Sequence, residues 1–462
     1  MNEQKTNDLP NPPRFAKMVG PSIVLLGLGL GTGEILLWPY MSSKFGLGII
    51  WAAVVGITMQ YFINMEIARY TVVKGESVFV GFSRLTRYLP YWFIFSTFIG
   101  WFWPGIIATS AKIFTSGFEF GNFEYFAIIF LLVIGVVLTV GKSVYSTVEW
   151  FQKVLICIGI PSLLIITIII AEPGDYVALL RGMVGIGDGF RFIPINSSDF
   201  SLFVFLGALA YAGAGGNLNL AQSFYIKEKG YGMCKGKTGV SSAIMKLKEI
   251  DIEGQGFDFT EKNFSIFKKW WRMISLEHLL VFLLTGAITI VLLATLAFST
   301  SRYFAAPNPG GISFLINEAK AIGWAINPAV GKYFIVIVTL MLFGTQLTIL
   351  DSTSRIIAEN IVLINRKINI ARAYYITVWS QIAFGITVFM IGFSDPVLLV
   401  VTGAVINAMA MFVHIGLTQY LNKKLLNKTV STPLIRRIIL FACWLVFGVL
   451  GIWAIIDGIA KL

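Results

Sequence analysis

Hydrophobic runs of about 18 or more residues recur along almost the whole chain, and each is long enough to cross a bilayer as a helix. Hydrocarbon offers no hydrogen-bond partner to the backbone, so a spanning segment must be a helix or part of a closed barrel. The runs here are continuous rather than alternating, which selects helices. With 56% apolar and only 13% charged residues among 462, little is left from which to build a soluble domain. The expected fold class is therefore an all-α integral membrane protein. Eleven spans are predicted, at roughly 19–41, 47–73, 91–117, 125–141, 148–171, 200–226, 276–299, 331–354, 373–393, 396–420 and 438–460.

A net charge of +12 would suggest nucleic acid if the basic residues clustered on a soluble module. They sit instead in short loops between spans, so no nucleic-acid partner is expected; the lipid bilayer is. Lys and Arg favour alternate loops several-fold, which predicts a cytoplasmic N-terminus and an external C-terminus. The expected location is a bacterial or archaeal plasma membrane. Residues 1–18, with Pro10, Pro12 and Pro13, read as a cytoplasmic tail rather than a signal peptide, because they lack an apolar core. Residues 19–462 read as one transmembrane domain, with residues 227–275 as a cytoplasmic insertion. That insertion contains "KGYGMCKGKTG", which lacks the spaced first glycine of a phosphate-binding loop. It ends in "FKKWWRM", where Trp270 and Trp271 are expected to anchor at the lipid interface. Cys157, Cys234 and Cys443 are scattered and show no disulfide or metal-ligand spacing.

The first span carries "LGLGTGEILLWPY", residues 28–40, with Gly29, Gly31 and Gly33 followed by Glu34. Glycine weakens a helix, and an acid in hydrocarbon is costly. The sixth span, "FLGALAYAGAGGNLNLAQSFYI", repeats the oddity: Gly213, Gly215 and Gly216 surround Ala214 and precede Asn217 and Asn219. Small residues in membrane helices also serve close packing. Two such clusters five spans apart point instead to a pair of interrupted helices, whose freed amides and carbonyls become ligands.

From "GPSIVLLGLGLGTGE" through "MQYFINMEIARY" the chain resembles the Nramp (natural resistance-associated macrophage protein) family of divalent-metal transporters. The resemblance is distant but covers most of the chain, and it suggests a divergent branch within the APC superfamily. It implies a LeuT-like fold with two inverted five-helix repeats, about 19–171 and 200–420, an extra helix at about 438–460, and broken helices one and six. It also implies transport of a divalent metal ion by alternating access. The diagnostic motifs are altered. Gly31 stands where the family has its metal-binding Asp, Thr32 replaces the Pro, Gly33 keeps the Gly, and Glu34 replaces the Asn. Ala214, Gly215 and Gly216 align with the family's Met-Pro-His. The candidate metal ligands are then Glu34, Gly31 and Asn217, with Asn219 beside them. An all-oxygen set suits hard ions such as Mg or Mn. The family's proton path uses acids in the third span; here "WFIFSTFIGWFWPGIIATSAKIF" has none. The usual proton coupling is therefore expected to be absent, leaving passive transport or coupling to another ion.

Further candidates lie inside other spans. Glu66 and Arg69 are spaced i, i+3, and Asp351 and Arg355 i, i+4. Each pair can neutralise itself, as a structural element or as a gate. Gln346, Thr348, Ser352 and Glu359 lie in the same run as the second pair. Asn407 is a substrate-site candidate in span ten. His278 and His414 read as structural. No cofactor is expected, and no nucleophile–base pair suggests an enzyme. A rival reading starts from the same phrase: "GTGEILLWP" also resembles the Gly-Ser-Gly signature of amino-acid transporters in that superfamily, where exposed amides hold a carboxylate. A small organic solute thus remains the alternative cargo. The sequence leaves the oligomeric state open.

Overall fold

The computed structural model describes residues 7–140, 143–236, 252–304, 312–392 and 396–460. Among these the secondary structure is helical, apart from one isolated bridge between Ile186 and Arg191. Among the described residues nine helices are long and apolar enough to cross a membrane, and a tenth results if the bent pair Pro21–Gly29 and Gly33–Phe45 counts as one span. The chain is an integral membrane protein. The expected sixth span is present as two short helices, Leu202–Ala210 and Leu218–Lys229, neither of which reaches across alone.

Both breaks follow from glycine, by different routes. In span one, Leu30 and Gly31 leave helical geometry (ψ 41° and −141°), and the chain rewinds through the wider turns of Thr32–Leu37. The bend is 44°. In span six, Gly213, Gly215 and Gly216 have φ of 136°, 70° and 53°, a region that residues with a Cβ rarely enter. Span three, Leu89–Trp101 and Gly105–Phe118, is interrupted at Phe102–Pro104, where proline removes a donor. Span eight, Pro328–Ile364, runs 37 residues and is 78% buried over its most apolar stretch. It is the post against which both broken spans pack.

One boundary differs from the sequence reading. Residues 261–275 are not loop. Helix Glu261–Glu277 continues through His278–Leu284 into Thr285–Ser301, giving 41 residues without a break. At 1.5 Å per residue this is about 60 Å, roughly twice the hydrocarbon thickness, so its first half must project beyond it. The amino-terminal tail straps onto that projection. Asn7 and Asp258 exchange backbone and side-chain bonds, Leu9 N donates to Asn263 Oδ1 at 3.1 Å, and Trp270 Nε1 donates to Pro10 O at 2.6 Å. Trp270 is therefore fully buried under the tail, not a lipid anchor. Trp271 lies 3.9 Å beneath the Arg69 guanidinium. Most of the glycine-rich "GKTG" falls in 237–251, outside the described residues.

Candidate functional site

The two breaks meet. A Cβ on Gly29 would lie 2.9 Å from Gly213 Cα, and one on Gly33 only 2.0 Å from Tyr211 O. The glycines of span one thus permit backbone-to-backbone contact, while those of span six permit the turn itself. Glu34 is wholly buried at this junction, and among the described residues neither of its carboxylate oxygens has a hydrogen-bond partner. Oε1 sits 3.0 Å from the position a Cβ on Gly29 would take, and 3.8 Å from that on Gly286. The carboxylate therefore occupies a glycine-walled gap between spans one, six and seven. An unpaired ionised carboxylate in such a place costs several kcal/mol, so it needs a cation or a proton.

Amide and hydroxyl groups fasten the loose backbone around it. Gln60, from span two, straddles the span-six break: Nε2 donates to Ala210 O at 2.9 Å, and Oε1 accepts from Gly215 N at 3.1 Å. Asn407 Nδ2 faces Gly100 O at 2.9 Å, Gly403 O at 2.9 Å and the Tyr211 hydroxyl at 3.1 Å, three acceptors for two protons, and among the described residues its own Oδ1 is unpartnered. His414 Nε2 donates to Gly216 O at 2.9 Å. Asn217 Nδ2 donates to Ser96 Oγ and Thr97 Oγ1 at 2.8 and 3.0 Å, with Oδ1 free; both polar atoms of buried Asn219 are free. In span eight, the Thr345 hydroxyl faces Gly27 O, Leu30 O and Met341 O at 3.0, 2.9 and 3.1 Å, three acceptors for one proton.

The predicted residues divide between two regions. Gly31, Gly33, Glu34, Gly213, Ala214, Gly215, Gly216, Asn217 and Asn407 all lie at or beside the breaks. Thr32 contributes backbone there. The Gly31 carbonyl already accepts from Ile35 N at 2.9 Å. Glu66, Arg69, Asp351 and Arg355 lie elsewhere, in two buried ion-pair networks. Arg69 Nε donates to Glu66 at 2.7 Å, and Glu66 also accepts from Thr432 Oγ1 at 2.7 Å and Arg436 Nη1 at 3.3 Å, tying span two to the loop after span ten and to the start of the last helix. Asp351 accepts from Arg355 Nε and Tyr374 at 2.8 Å and from Tyr225 at 3.2 Å, while Arg355 also pairs with Glu228. That network joins spans six, eight and nine. Gln346 is buried in span eight. Gln60, Thr345 and Tyr211 were not singled out from the sequence, and His414 was assigned only a structural part. Their signal was a polar side chain inside an apolar run, as for Asn407. Among the described residues no three His, Cys, Asp or Glu side chains converge as a metal cluster.

No family model matches the chain, and no curated protein matches it in sequence. Solved structures do match. A point variant of the manganese transporter of Eremococcus coleocola superposes with TM-score 0.71 at 12% identity, over 100% of this chain and 92% of that one. The chain has the fold of a membrane transporter. The same manganese transporter bound to an aromatic bis-isothiourea compound gives 0.62 at 14% identity, over 99% of both chains. MhsT bound to L-phenylalanine gives 0.54 at 12%, over 94% of this chain and 97% of that one. Within this transporter fold, both interrupted spans and the unpaired acid between them fall inside the superposed length.

Proposed function

We propose that the protein is a secondary-type transporter that moves a divalent metal ion by alternating access, with a hard ion such as Mg or Mn as cargo. The observation that carries this reading is Glu34, a fully buried carboxylate with no partner where two broken helices meet. A cation bound there would be matched by oxygen donors: Glu34, carbonyls freed at the breaks, and the unpartnered Oδ1 atoms of Asn217 and Asn407. Hard ions that keep part of their water suit one carboxylate and neutral oxygens better than ions needing sulfur. Glu66–Arg69 and Asp351–Arg355 act as gate elements on the cytoplasmic side, because they staple spans that must separate for that side to open. Span three supplies no acid for a proton path. Two inverted repeats, with the divided span six as the eleventh crossing, complete the arrangement.

The test is uptake into proteoliposomes. Wild-type protein takes up Mg or Mn, and Glu34→Gln, though folded, takes up neither. Normal uptake by that variant removes Glu34 from the site. The rival cargo, a small organic solute such as an amino acid, is favoured by the glycine-rich breaks themselves, whose freed amides can hold a carboxylate. Thermal-shift screening separates the two, since a ligand stabilises only the state that binds it. Stabilisation by amino acids but not by divalent ions selects the rival.

A further inference from the structure

The start of span one is held by a cluster that the cargo site does not use. Glu277 is fully buried and accepts three hydrogen bonds from that end: Gly20 N at 3.4 Å, Ser22 N at 3.3 Å and Ser22 Oγ at 2.5 Å. Two of these donors are amides that the first turn of Pro21–Gly29 leaves without helical partners. The helix dipole and charge-assisted bonding offset part of the cost of burying an ionised carboxylate there. The next residue, His278, completes a chain. Its Nδ1 lies 2.8 Å from the same Ser22 Oγ. Since Ser22 gives its proton to Glu277, Nδ1 is the donor to Ser22. Nε2 is then a bare acceptor, buried and without a partner among the described residues. The imidazole is stacked between Tyr61 and Phe282, with ring centroids at 5.5 and 4.6 Å. A Cβ on Gly213 would lie 3.0 Å from the Phe282 ring, so the cluster is one side chain removed from the span-six break. His278 also opens the wide-turn stretch His278–Leu284, a local irregularity that recurs at functional sites.

We propose that Ser22, Glu277 and His278 form a proton-binding latch that holds the first half of span one closed against the cytoplasm, and that protonation releases it. A proton taken up at His278 Nε2 lets Nδ1 pass its own proton to Ser22 Oγ, which passes its proton to Glu277 Oε2. The carboxylate becomes a neutral acid, the serine is regenerated, and His278 ends neutral in the other tautomer. A neutral acid no longer attracts the helix end, and one of its oxygens ceases to be a full acceptor.

The charged and titratable neighbours come from every packed element. Span five brings Tyr145 and Glu149, the end of span six brings Lys229 and Tyr231, span two brings Tyr61, and the last helix brings Arg436 beside Tyr61. Glu149 is matched by Lys153 and, at 2.8 Å, by Lys229. Among the described residues Glu277 forms no ion pair, so its charge is held by the Gly20 and Ser22 donors and by the more distant Lys229. The latch rests on the alternating-access reading above, but its test needs no cargo.

Spin labels are placed on the full chain at Lys17→Cys and Lys367→Cys, with Cys157, Cys234 and Cys443 changed to Ser. Electron–electron distances are recorded in lipid nanodiscs from about pH 8 to about pH 5.5, a window on either side of neutrality in which biological proton switches operate. Wild-type protein should show a longer-distance population that grows several-fold as pH falls. Glu277→Gln should show that population at every pH; Ser22→Ala, which breaks the relay but keeps the two amide donors to Glu277, should lose the pH response, and this decides the matter if the first variant does not fold. A distance distribution that ignores pH in the wild type overturns the latch, even if Glu277→Gln opens the face, because that would be a merely structural clamp. A pH response that survives in both variants overturns it equally. Failed metal uptake alongside a normal pH response would sink the cargo reading and leave the latch standing.

Discussion

Gly33→Ala tests whether contact between the two breaks matters. The new Cβ would sit 2.0 Å from Tyr211 O and 2.6 Å from Tyr211 C. Both atoms are backbone, so no side-chain rotation relieves the clash. Ordinary contact starts at about 3.4 Å. The segments must therefore part by about 1.4 Å at this point, from the difference of those two distances. Elsewhere in a helix the same substitution gains about 1 kcal/mol from propensity. Here overpacking costs about 1–3 kcal/mol, so the net loss of stability is modest, about 0–2 kcal/mol. The functional loss is larger, because a displacement of about 1 Å at a positioned site can cost about 100-fold. Gly174→Ala is the control, since nothing lies within 4 Å of its Cβ position. Initial uptake rates and thermal midpoints are measured on both variants. The expected result is uptake reduced about 100-fold in Gly33→Ala with the fold retained, and wild-type behaviour in Gly174→Ala. Wild-type uptake by Gly33→Ala would refute the claim that the site depends on close contact between spans one and six.

Gln60→Leu strips the bonds to Ala210 O and Gly215 N and leaves both groups buried; at about 1–3 kcal/mol each, stability should fall by about 2–6 kcal/mol. Guanidinium or thermal unfolding in detergent reads this, and an unchanged midpoint would show that the break does not need its clamp. Glu34→Gln should keep the thermal midpoint within a few degrees of wild type and lose any stabilisation by Mg or Mn; a metal-dependent shift that persists would place the cation elsewhere. On the exposed tail, the hydrogen bond from Lys262 holds the Asp8 carboxyl below its usual range. Its contribution is therefore present at neutral pH and is lost as pH falls through that lowered value. Protease resistance of residues 7–10 should decline only in strongly acid solution, and Asp8→Asn should remove that decline; an equal decline in both rules out the pair as its cause.

The parts of this fold that were legible in the sequence are those whose physics is local. A run of apolar residues demands a helix wherever it lies, so the spans were placed close to the helices found, including Val144–Ile170 against 148–171. Gly213, Gly215 and Gly216 announced a break because their conformations exclude other residues. The buried pairs Glu66–Arg69 and Asp351–Arg355 could be read from spacing along one helix face, although their outside partners Thr432, Arg436, Tyr374 and Glu228 could not.

What escaped depends on contacts between distant segments. Residues 261–275 look like a polar loop because Lys268, Lys269 and Arg272 interrupt every apolar window. Their helix is secured by Asn263 and Trp270 bonding to Asn7, Leu9 and Pro10, more than 250 positions away. Trp270 carries the composition of a lipid anchor, and only the tail's proximity makes it a buried strut. Ser22 and Glu277 illustrate the same limit: alone, each is an unremarked polar residue at the end of an apolar run. Joined, they link a tail-strapped helix to the first half of the broken span one. Any force that shifts the tail on residues 258–270 is thereby applied through one continuous helix to Glu277, and from Glu277 to the start of span one.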